Sequence, residues 1–318
     1  MRILVTGSTG FIGSALARRL AESSSHELVL SARRPAPAAG RRGKVVTVGD
    51  MDGATDWSAA LANVDVVVHC AARVHVMRDT HTDPLAAFRR VNTEGTLRLA
   101  RQAAAVGIRR LVFLSSVKVH GEVSPQDRPL TSEDPTVPVD PYGISKFEAE
   151  RGLRALADET GMEVVIIRPV LVYGPGVGAN FRSLMSWLGR GVPLPLGGIH
   201  NKRSLVALDN LVDLIVTCIE HPAAANQVFL VSDGEDLSTS ELLRRLGGAL
   251  GKPARLLPVP ASWLGGGARL LGKAGVAQRL CGSLQVDIEK NRRVLGWIPP
   301  VSVDEALRKT ARDFLEHR

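Results

Sequence analysis

Residues 2–22 read RILVTGSTGFIGSALARRLAE. Arg2 to Thr6 is a short apolar run of strand length, and from Phe11 onward apolar residues recur at helical spacing. Between them stand Gly7, Gly10 and Gly13 in GxxGxxG spacing, not the GxGxxG of the general dinucleotide fingerprint. A strand that turns tightly into a helix leaves unpaired backbone amides at the helix start, where the helix dipole favours an anion. Glycines permit that turn and a close backbone approach. Gly7, Gly10, Phe11, Ile12 and Gly13 are therefore the expected cradle for a cofactor pyrophosphate. A tight strand–helix turn without a ligand is the alternative.

Outward from this loop, strand-length apolar runs recur at 27–31, 44–48, 64–69, 111–115 and 163–168, and helical patterns cover 84–106 and 142–160. Continuous apolar strands alternating with amphipathic helices imply a parallel sheet covered on both faces, the doubly wound α/β (Rossmann) arrangement. Residues 1–169 form the expected dinucleotide-binding domain, with later strands returning to it from about 203–232. Beyond Pro169 the pattern changes. Gly and Pro cluster in YGPGVGAN and GVPLPLGG, helices are expected at about 209–221 and 238–250, and 261–285 is rich in Gly, Leu and Ala. Residues 170–318 thus read mainly as a smaller, partly interleaved C-terminal substrate lobe.

At 318 residues with 23% charged side chains, the composition is that of a soluble globular protein. The apolar run after Met1 ends at Gly7, too soon for a signal peptide, and no run reaches bilayer-spanning length. Cys70, Cys218 and Cys281 lack CxxC spacing, and His69, His75 and His81 lack ligand spacing, so no disulfide framework or metal site is expected. A cytoplasmic location fits these features. The net charge of +8 comes without an aromatic-interleaved basic stripe, which argues against nucleic acid. One stretch differs. From Leu242 to Val286 there is no acid but there are seven Lys and Arg, as one wall of an anion site or a membrane-facing surface.

A NAD site usually places an acid about twenty residues past the glycine loop, on the ribose hydroxyls. Here the second strand ends Ser31-Ala32-Arg33-Arg34. A hydroxyl and two guanidinium groups suit a ribose 2′-phosphate, so NADP is preferred over NAD, unless the arginines merely begin a solvated loop.

DPYGISK at 140–146 opens a helix, which puts Tyr142 and Lys146 on one face, one turn apart. A free phenol has a pKa of about 10. A unit charge about 4 Å away, at an effective dielectric of about 20, is worth roughly 4 kcal/mol, or roughly three pKa units. The Lys146 ammonium and an oxidised nicotinamide are expected to lower the phenol by such an amount. Ser115-Ser116, after a core strand, supplies a hydroxyl to hydrogen-bond the reacting oxygen.

With these motifs the chain resembles the extended short-chain dehydrogenase/reductase family of nucleotide-sugar epimerases, dehydratases and 4-ketoreductases. The resemblance runs nearly end to end: VTGSTGFIG at 5–13, GDMD at 49–52, VVVHCAA at 66–72, VNTEGT at 91–96, LSSVKVHGE at 114–122 and YGISK at 142–146. It continues through RPVLVYGPG at 168–176, RSLVALDNLVD at 203–213 and DIEKNRRVLGW ending at Trp297. The resemblance implies Asp50 and Met51 at the adenine, Ala71 and Ala72 along the phosphates, and Pro169 beside the nicotinamide. It makes Ser116, Tyr142 and Lys146 catalytic, and puts Asn180, Arg203 and Arg279 at the diphosphate of a UDP-sugar substrate. A homodimer built on helices 84–106 and 142–160 is also implied.

Where the family's dehydratases carry hydroxyl-Asp-Glu, this chain has Ser116-Val117-Lys118, so water elimination lacks its acids. If the chain stays extended there, Lys118 faces the sugar with Ser116; otherwise it is a solvated lysine. The expected activity is NAD(P)H-dependent reduction of a UDP-4-keto-6-deoxy-N-acetylhexosamine, in bacterial surface-polysaccharide biosynthesis. The alternative is a UDP-hexose (UDP-glucose or UDP-GlcNAc) 4-epimerase with tightly bound NAD. A non-catalytic dinucleotide sensor would not need the Ser116, Tyr142 and Lys146 set.

Overall fold

The computed structural model describes residues 1–22, 26–34, 43–74, 83–125, 128–270 and 274–317, and at 179–180, 267–270, 274 and 276–277 it describes the backbone alone. His75 and His81 lie outside the described residues.

The chain begins with β1 (Arg2–Thr6), α1 (Phe11–Glu22), β2 (Glu27–Ala32), β3 (Lys44–Thr47), α2 (Ser58–Leu61) and β4 (Val66–His69). It continues through α3 (Pro84–Phe88), a π-helical segment Arg89–Gly95, α4 (Thr96–Ala105), β5 (Arg110–Leu114) and a 3-10 turn Val117–His120. Next come α5 (Pro141–Thr160), β6 (Glu163–Pro169), β7 (Leu171–Tyr173), α6 (Ala179–Gly189), β8 (Arg203–Ala207) and α7 (Leu208–Glu220). The last elements are β9 (Val228–Val231), β10 (Asp236–Leu237), α8 (Thr239–Ala249), α9 (Ala261–Leu270), α10 (Ala274–Cys281), α11 (Glu289–Leu295) and α12 (Val303–Glu316).

Seven strands pair in the order β3-β2-β1-β4-β5-β6-β9, all parallel. Successive strand residues serve opposite faces. Ile3 and Val5 join a core with Leu16 and Leu20 of α1 and Leu211 and Ile215 of α7, while Leu4 joins one with Leu99 of α4 and Leu153 of α5. Helices on both faces make this the doubly wound α/β fold read from the sequence. The order reverses at β1, where β2 and β4 flank it, so the crevice beyond the carboxyl ends of β1 and β4 is the topological switch point.

Two local differences from the sequence reading have physical causes. Of the later strands expected to return from about 203–232, the first does not enter the main sheet. β8 pairs with β7 and β10 in a separate three-stranded sheet, and β9 makes the return, beside β6. The apolar pattern shows that a strand forms but not its partner. The helix expected at 84–106 is interrupted by the π segment, where the Asn92 side chain binds both backbone groups of Arg73 and the Ser145 hydroxyl. π-Bulges of this kind recur at functional sites.

A third core joins Phe181 and Met185 of α6, Leu243 and Leu246 of α8 and Leu307 and Phe314 of α12 against β7 and β8. The chain's end is tied back to the first sheet: Asn291 Nδ2 donates to the Leu230 carbonyl (2.8 Å), and Trp297 Nε1 donates to Asp213 Oδ2 (2.9 Å).

Candidate active site

The glycine loop closes on the end of β4. Gly7 takes φ +65°, and a Cβ there would lie 2.7 Å from the Ala71 nitrogen. A Cβ on Gly13 would meet the Gly7 carbonyl at 2.2 Å. Only hydrogen fits at either position, so the α1 N-terminus sits tight under the turn with Gly10 exposed above it. Thr6 Oγ1 accepts from the Ala71 amide (3.2 Å), which leaves Ala71 and Ala72 half-buried beside the turn. This tight turn at a helix start fits a pyrophosphate, which Gly7, Gly10, Phe11, Ile12 and Gly13 could border, with Ala71 and Ala72 beside Gly7.

Ser8 Oγ donates to the Ser31 carbonyl (3.0 Å) and ties the loop to the end of β2, where Ser31 is buried and Arg33 and Arg34 are exposed. Asp50 is exposed at the end of the β3 connection, whereas Met51 is buried against Gly95, whose Cβ would approach Met51 Cγ at 2.7 Å.

Tyr142 and Lys146 occupy the first two turns of α5. Asp140 caps this helix by accepting from the Gly143 amide (2.8 Å), and Pro141 follows at the first helical position. Gly143 brings the helix against the 3-10 turn: a Cβ would lie 2.7 Å from the Lys118 carbonyl. That approach puts the Ser116 hydroxyl in hydrogen-bonding contact with the Tyr142 phenol.

The Tyr142 phenol is pushed up to about 12, by burial first and the Asp140 carboxylate second, with the Ser116 hydrogen bond opposing. The expected lowering by Lys146 is not found among the protein's own groups. The Lys146 ammonium is turned beneath the site, donating to the Leu114 carbonyl (2.8 Å) over the Phe113 ring (4.5 Å to the centroid). Burial pulls Lys146 down to about 8, with Cys70 and Glu150 opposing. Burial and then Lys146 pull His69 down to about 3; it is a neutral ring bridging Thr6 Oγ1 (2.7 Å) and Thr96 Oγ1 (3.0 Å). This is a packed core histidine.

Lys118 also departs from expectation. Ser116 is extended, but its Oγ accepts from the Lys118 amide (3.2 Å) and starts the 3-10 turn. The continuation that would have aimed Lys118 alongside Ser116 is therefore absent. Its ammonium instead bridges Glu122 (3.3 Å) and Asp140 (2.5 Å).

Below this surface runs a buried network whose central pair, Glu150 and Arg168, the sequence reading did not single out. Ser115 Oγ donates to Glu150 Oε1 (2.6 Å), and Arg168 donates to both Glu150 oxygens (2.9 and 2.6 Å). Arg168 also donates to His120 Nε2 (2.7 Å). Arginine can only donate, so His120 holds its proton on Nδ1, facing the Pro135 carbonyl (3.3 Å). Burial, followed by Arg168, pulls the His120 ring down. The network joins the strand end carrying Ser115 and Ser116, the helix carrying Tyr142 and Lys146, and the β6 end carrying the buried Pro169. Glu150 lies four residues beyond Lys146, a spacing visible in the sequence; its partner is not.

In the second lobe, Arg203 is half-buried at the start of β8 and donates to the Gly282 carbonyl (3.0 Å). Burial pulls its guanidinium down, with Glu122 opposing. Glu122 thus faces both Lys118 and Arg203. The loop carrying it is joined to the α10 exit by Ser124 N to the Ser283 carbonyl (3.0 Å) and Leu130 N to the Gln285 carbonyl (2.8 Å). Arg279 is exposed and folds back on its own helix, to the Gly275 carbonyl (3.0 Å). Asn180 lies in the first turn of α6, and its side chain is outside the described residues. Of the residues expected at the site, Ser116 and Tyr142 meet, Lys146 is turned onto the Leu114 carbonyl, Arg203 faces Glu122, and Arg279 stays on its own helix.

Comparison with known proteins adds identity to this geometry. The model of the NAD dependent epimerase/dehydratase family matches residues 3–232. A UDP-glucose 4-epimerase of Vibrio cholerae is 52% identical over 315 residues, covering 99% of this chain and 95% of that protein. A UDP-glucose 4-epimerase of Mycolicibacterium smegmatis is 31% identical over 331 residues, covering 99% and 98%. Among solved structures, a UDP-glucuronic acid 4-epimerase from Bacillus cereus in complex with NAD superimposes with a TM-score of 0.79 at 21% identity, covering 99% and 97% of the two chains. The chain belongs to the NAD dependent epimerase/dehydratase family, within the extended short-chain dehydrogenases/reductases.

Proposed function

We propose that the protein is a UDP-hexose 4-epimerase that works with NAD held between turnovers. The near full-length 52% identity to the Vibrio cholerae UDP-glucose 4-epimerase carries this reading. It takes the place of the 4-ketoreductase expected first from the sequence.

When bound, NAD supplies the acceptor and later the donor of the C4 hydride. The Gly7–Gly13 turn with Ala71 and Ala72 would hold its pyrophosphate, Asp50 and Met51 would border the adenine, and Pro169 would border the nicotinamide. Tyr142 accepts the proton of the sugar's C4 hydroxyl and returns it after the ring has turned its other face. Ser116 Oγ hydrogen-bonds the same oxygen. Because burial and Asp140 hold the phenol's proton tightly, proton removal needs positive charge nearby. The oxidised nicotinamide would supply that charge when bound, since Lys146 is turned onto the Leu114 carbonyl. Arg203, in the second lobe, holds the UDP diphosphate.

The competing reading, an NADPH-dependent 4-ketoreductase of a UDP-4-keto-6-deoxy-N-acetylhexosamine, draws on the β2 end, where exposed Arg33 and Arg34 stand without an acid. Mass spectrometry of co-purifying nucleotides, followed by incubation with UDP-galactose and no added cofactor, separates the two. Stoichiometric NAD and formation of UDP-glucose are expected. Cofactor-free protein that consumes NADPH on the 4-keto sugar and leaves UDP-galactose untouched would overturn the epimerase.

A further inference from the structure

Two runs of this chain contain no acidic residue, 164–208 and 242–286. They are far apart in sequence, and the fold zips them together. Leu194 N donates to the Arg255 carbonyl and Leu257 N to the Leu194 carbonyl (2.8 Å each), and Gly197 N donates to the Leu257 carbonyl (2.9 Å). Lys252 Nζ pins the junction by donating to the Gly189 carbonyl at the end of α6 (3.0 Å). At one end, Val192 N folds back on the Trp187 carbonyl (3.2 Å); at the other, Trp263 N donates to the Pro260 carbonyl (3.0 Å) as α9 begins.

The ridge so formed exposes large apolar side chains: Trp263 is 75% exposed, Leu257 51%, Trp187 45% and Val192 41%. Arg190, Lys252 and Arg255 stand exposed among them, and none meets a carboxylate among the described residues. Three acids of the same lobe, Glu235, Glu241 and Asp304, are gathered instead on Arg245.

We propose that this ridge is a peripheral docking surface for an anionic lipid bilayer. Tryptophan is enriched at the depth where headgroups meet acyl chains, aliphatic side chains insert beside it, and Arg and Lys meet the anionic headgroups. Charge complementarity commits the surface to an acidic membrane. The aliphatic Val192 and Leu257 offer no π-face to a nucleic-acid base. Docking is peripheral, since no described helix is long and apolar enough to cross a membrane. The lobe that carries Arg203 would then rest against the bilayer.

The test is co-sedimentation of the full-length protein with vesicles of phosphatidylcholine doped with phosphatidylglycerol, against phosphatidylcholine alone, at low and high salt. Pelleting with anionic vesicles only, lost at high salt, is expected. Arg190→Ala and Arg255→Ala should each weaken partitioning about fivefold. Trp263→Ser should weaken it further, with Leu257→Ser as an independent variant, while turnover of soluble UDP-sugar stays unchanged. The following outcomes overturn the proposal. They are no pelleting with anionic vesicles, pelleting indifferent to all four variants, and ridge variants that change the protein's sedimentation mass, which makes the ridge an interface between copies. Equal binding to a single-stranded oligonucleotide that displaces the vesicles also overturns it.

Discussion

The chain contains two tyrosines, and their surroundings are opposites. Tyr173, fully buried in the second sheet, donates its hydroxyl to Asp233 Oδ2 (2.8 Å). Asp233 is itself anchored by the Ala207 amide and Asn210 (2.7 Å each). Burial, and next the Asp233 charge, push the Tyr173 phenol far above the ordinary range. Tyr142 is half-buried at a helix start, and its hydrogen-bonding partner is the neutral Ser116 hydroxyl, which draws its pKa down. A carboxylate acceptor makes a phenol's proton structural, because losing it would set two buried anions side by side. A hydroxyl partner leaves the proton exchangeable. The difference teaches that burial alone does not distinguish a working phenol from a locked one; the partner does.

The sharpest way to break this contrast is Tyr142→Phe. It should lower kcat by about 10²–10⁴-fold, the usual worth of a positioned acid–base group, with NAD retention and melting temperature unchanged. Activity within threefold of wild type would remove Tyr142 from the chemistry. Next in size, Gly143→Ala drives a Cβ toward the Lys118 carbonyl, 2.7 Å away, and pries Tyr142 from Ser116. A fall in kcat of about 10–100-fold, with KM little changed, is expected in steady-state assays.

Tyr173→Phe should leave kcat nearly intact and cost about 1–2 kcal/mol of stability in urea unfolding, since Asp233 keeps two of its three donors. The same variant tests the sign of the pH dependence. Above about pH 10 an unfolded tyrosine loses its proton while Tyr173 keeps it, so the native state binds more protons and stability falls as pH rises. Each proton so retained steepens the loss by about 1.4 kcal/mol per pH unit, and Tyr173→Phe should flatten the alkaline slope by that much. An unchanged slope would mean that Tyr173 titrates freely. Lys118→Met should have the smallest effect, under about 1 kcal/mol, because its ion pairs are partly exposed. A tenfold or greater rise in KM for UDP-sugar would show instead that this ammonium reaches substrate.

The central sheet was legible in the sequence because its signals are local. Buried parallel strands need unbroken apolar runs such as Val66-Val67-Val68, and a close phosphate turn needs glycine where a Cβ would strike backbone, as at Gly7 and Gly13. Tyr142 and Lys146 were legible for the same reason, since helix spacing puts them on one face whatever surrounds the helix. Asn92 in the π segment, Asp140 and Gly143 left local traces too, as a resemblance motif, an Asp-Pro helix start and a glycine one turn early.

What sequence by itself determined, then, is the doubly wound frame, the glycine turn and the order of the catalytic residues, all governed by neighbours a few positions apart. Only the tertiary structure decided that β8 leaves the main sheet, that Lys118 turns to Asp140 and Glu122, and that Lys146 points beneath the site. It alone paired Glu150 with Arg168 and brought the two acid-free runs into one ridge. The physical reason is common to all of these. A charge or hydrogen-bonding group takes whichever partner the fold carries to it, and a linear sequence records the group without the distance.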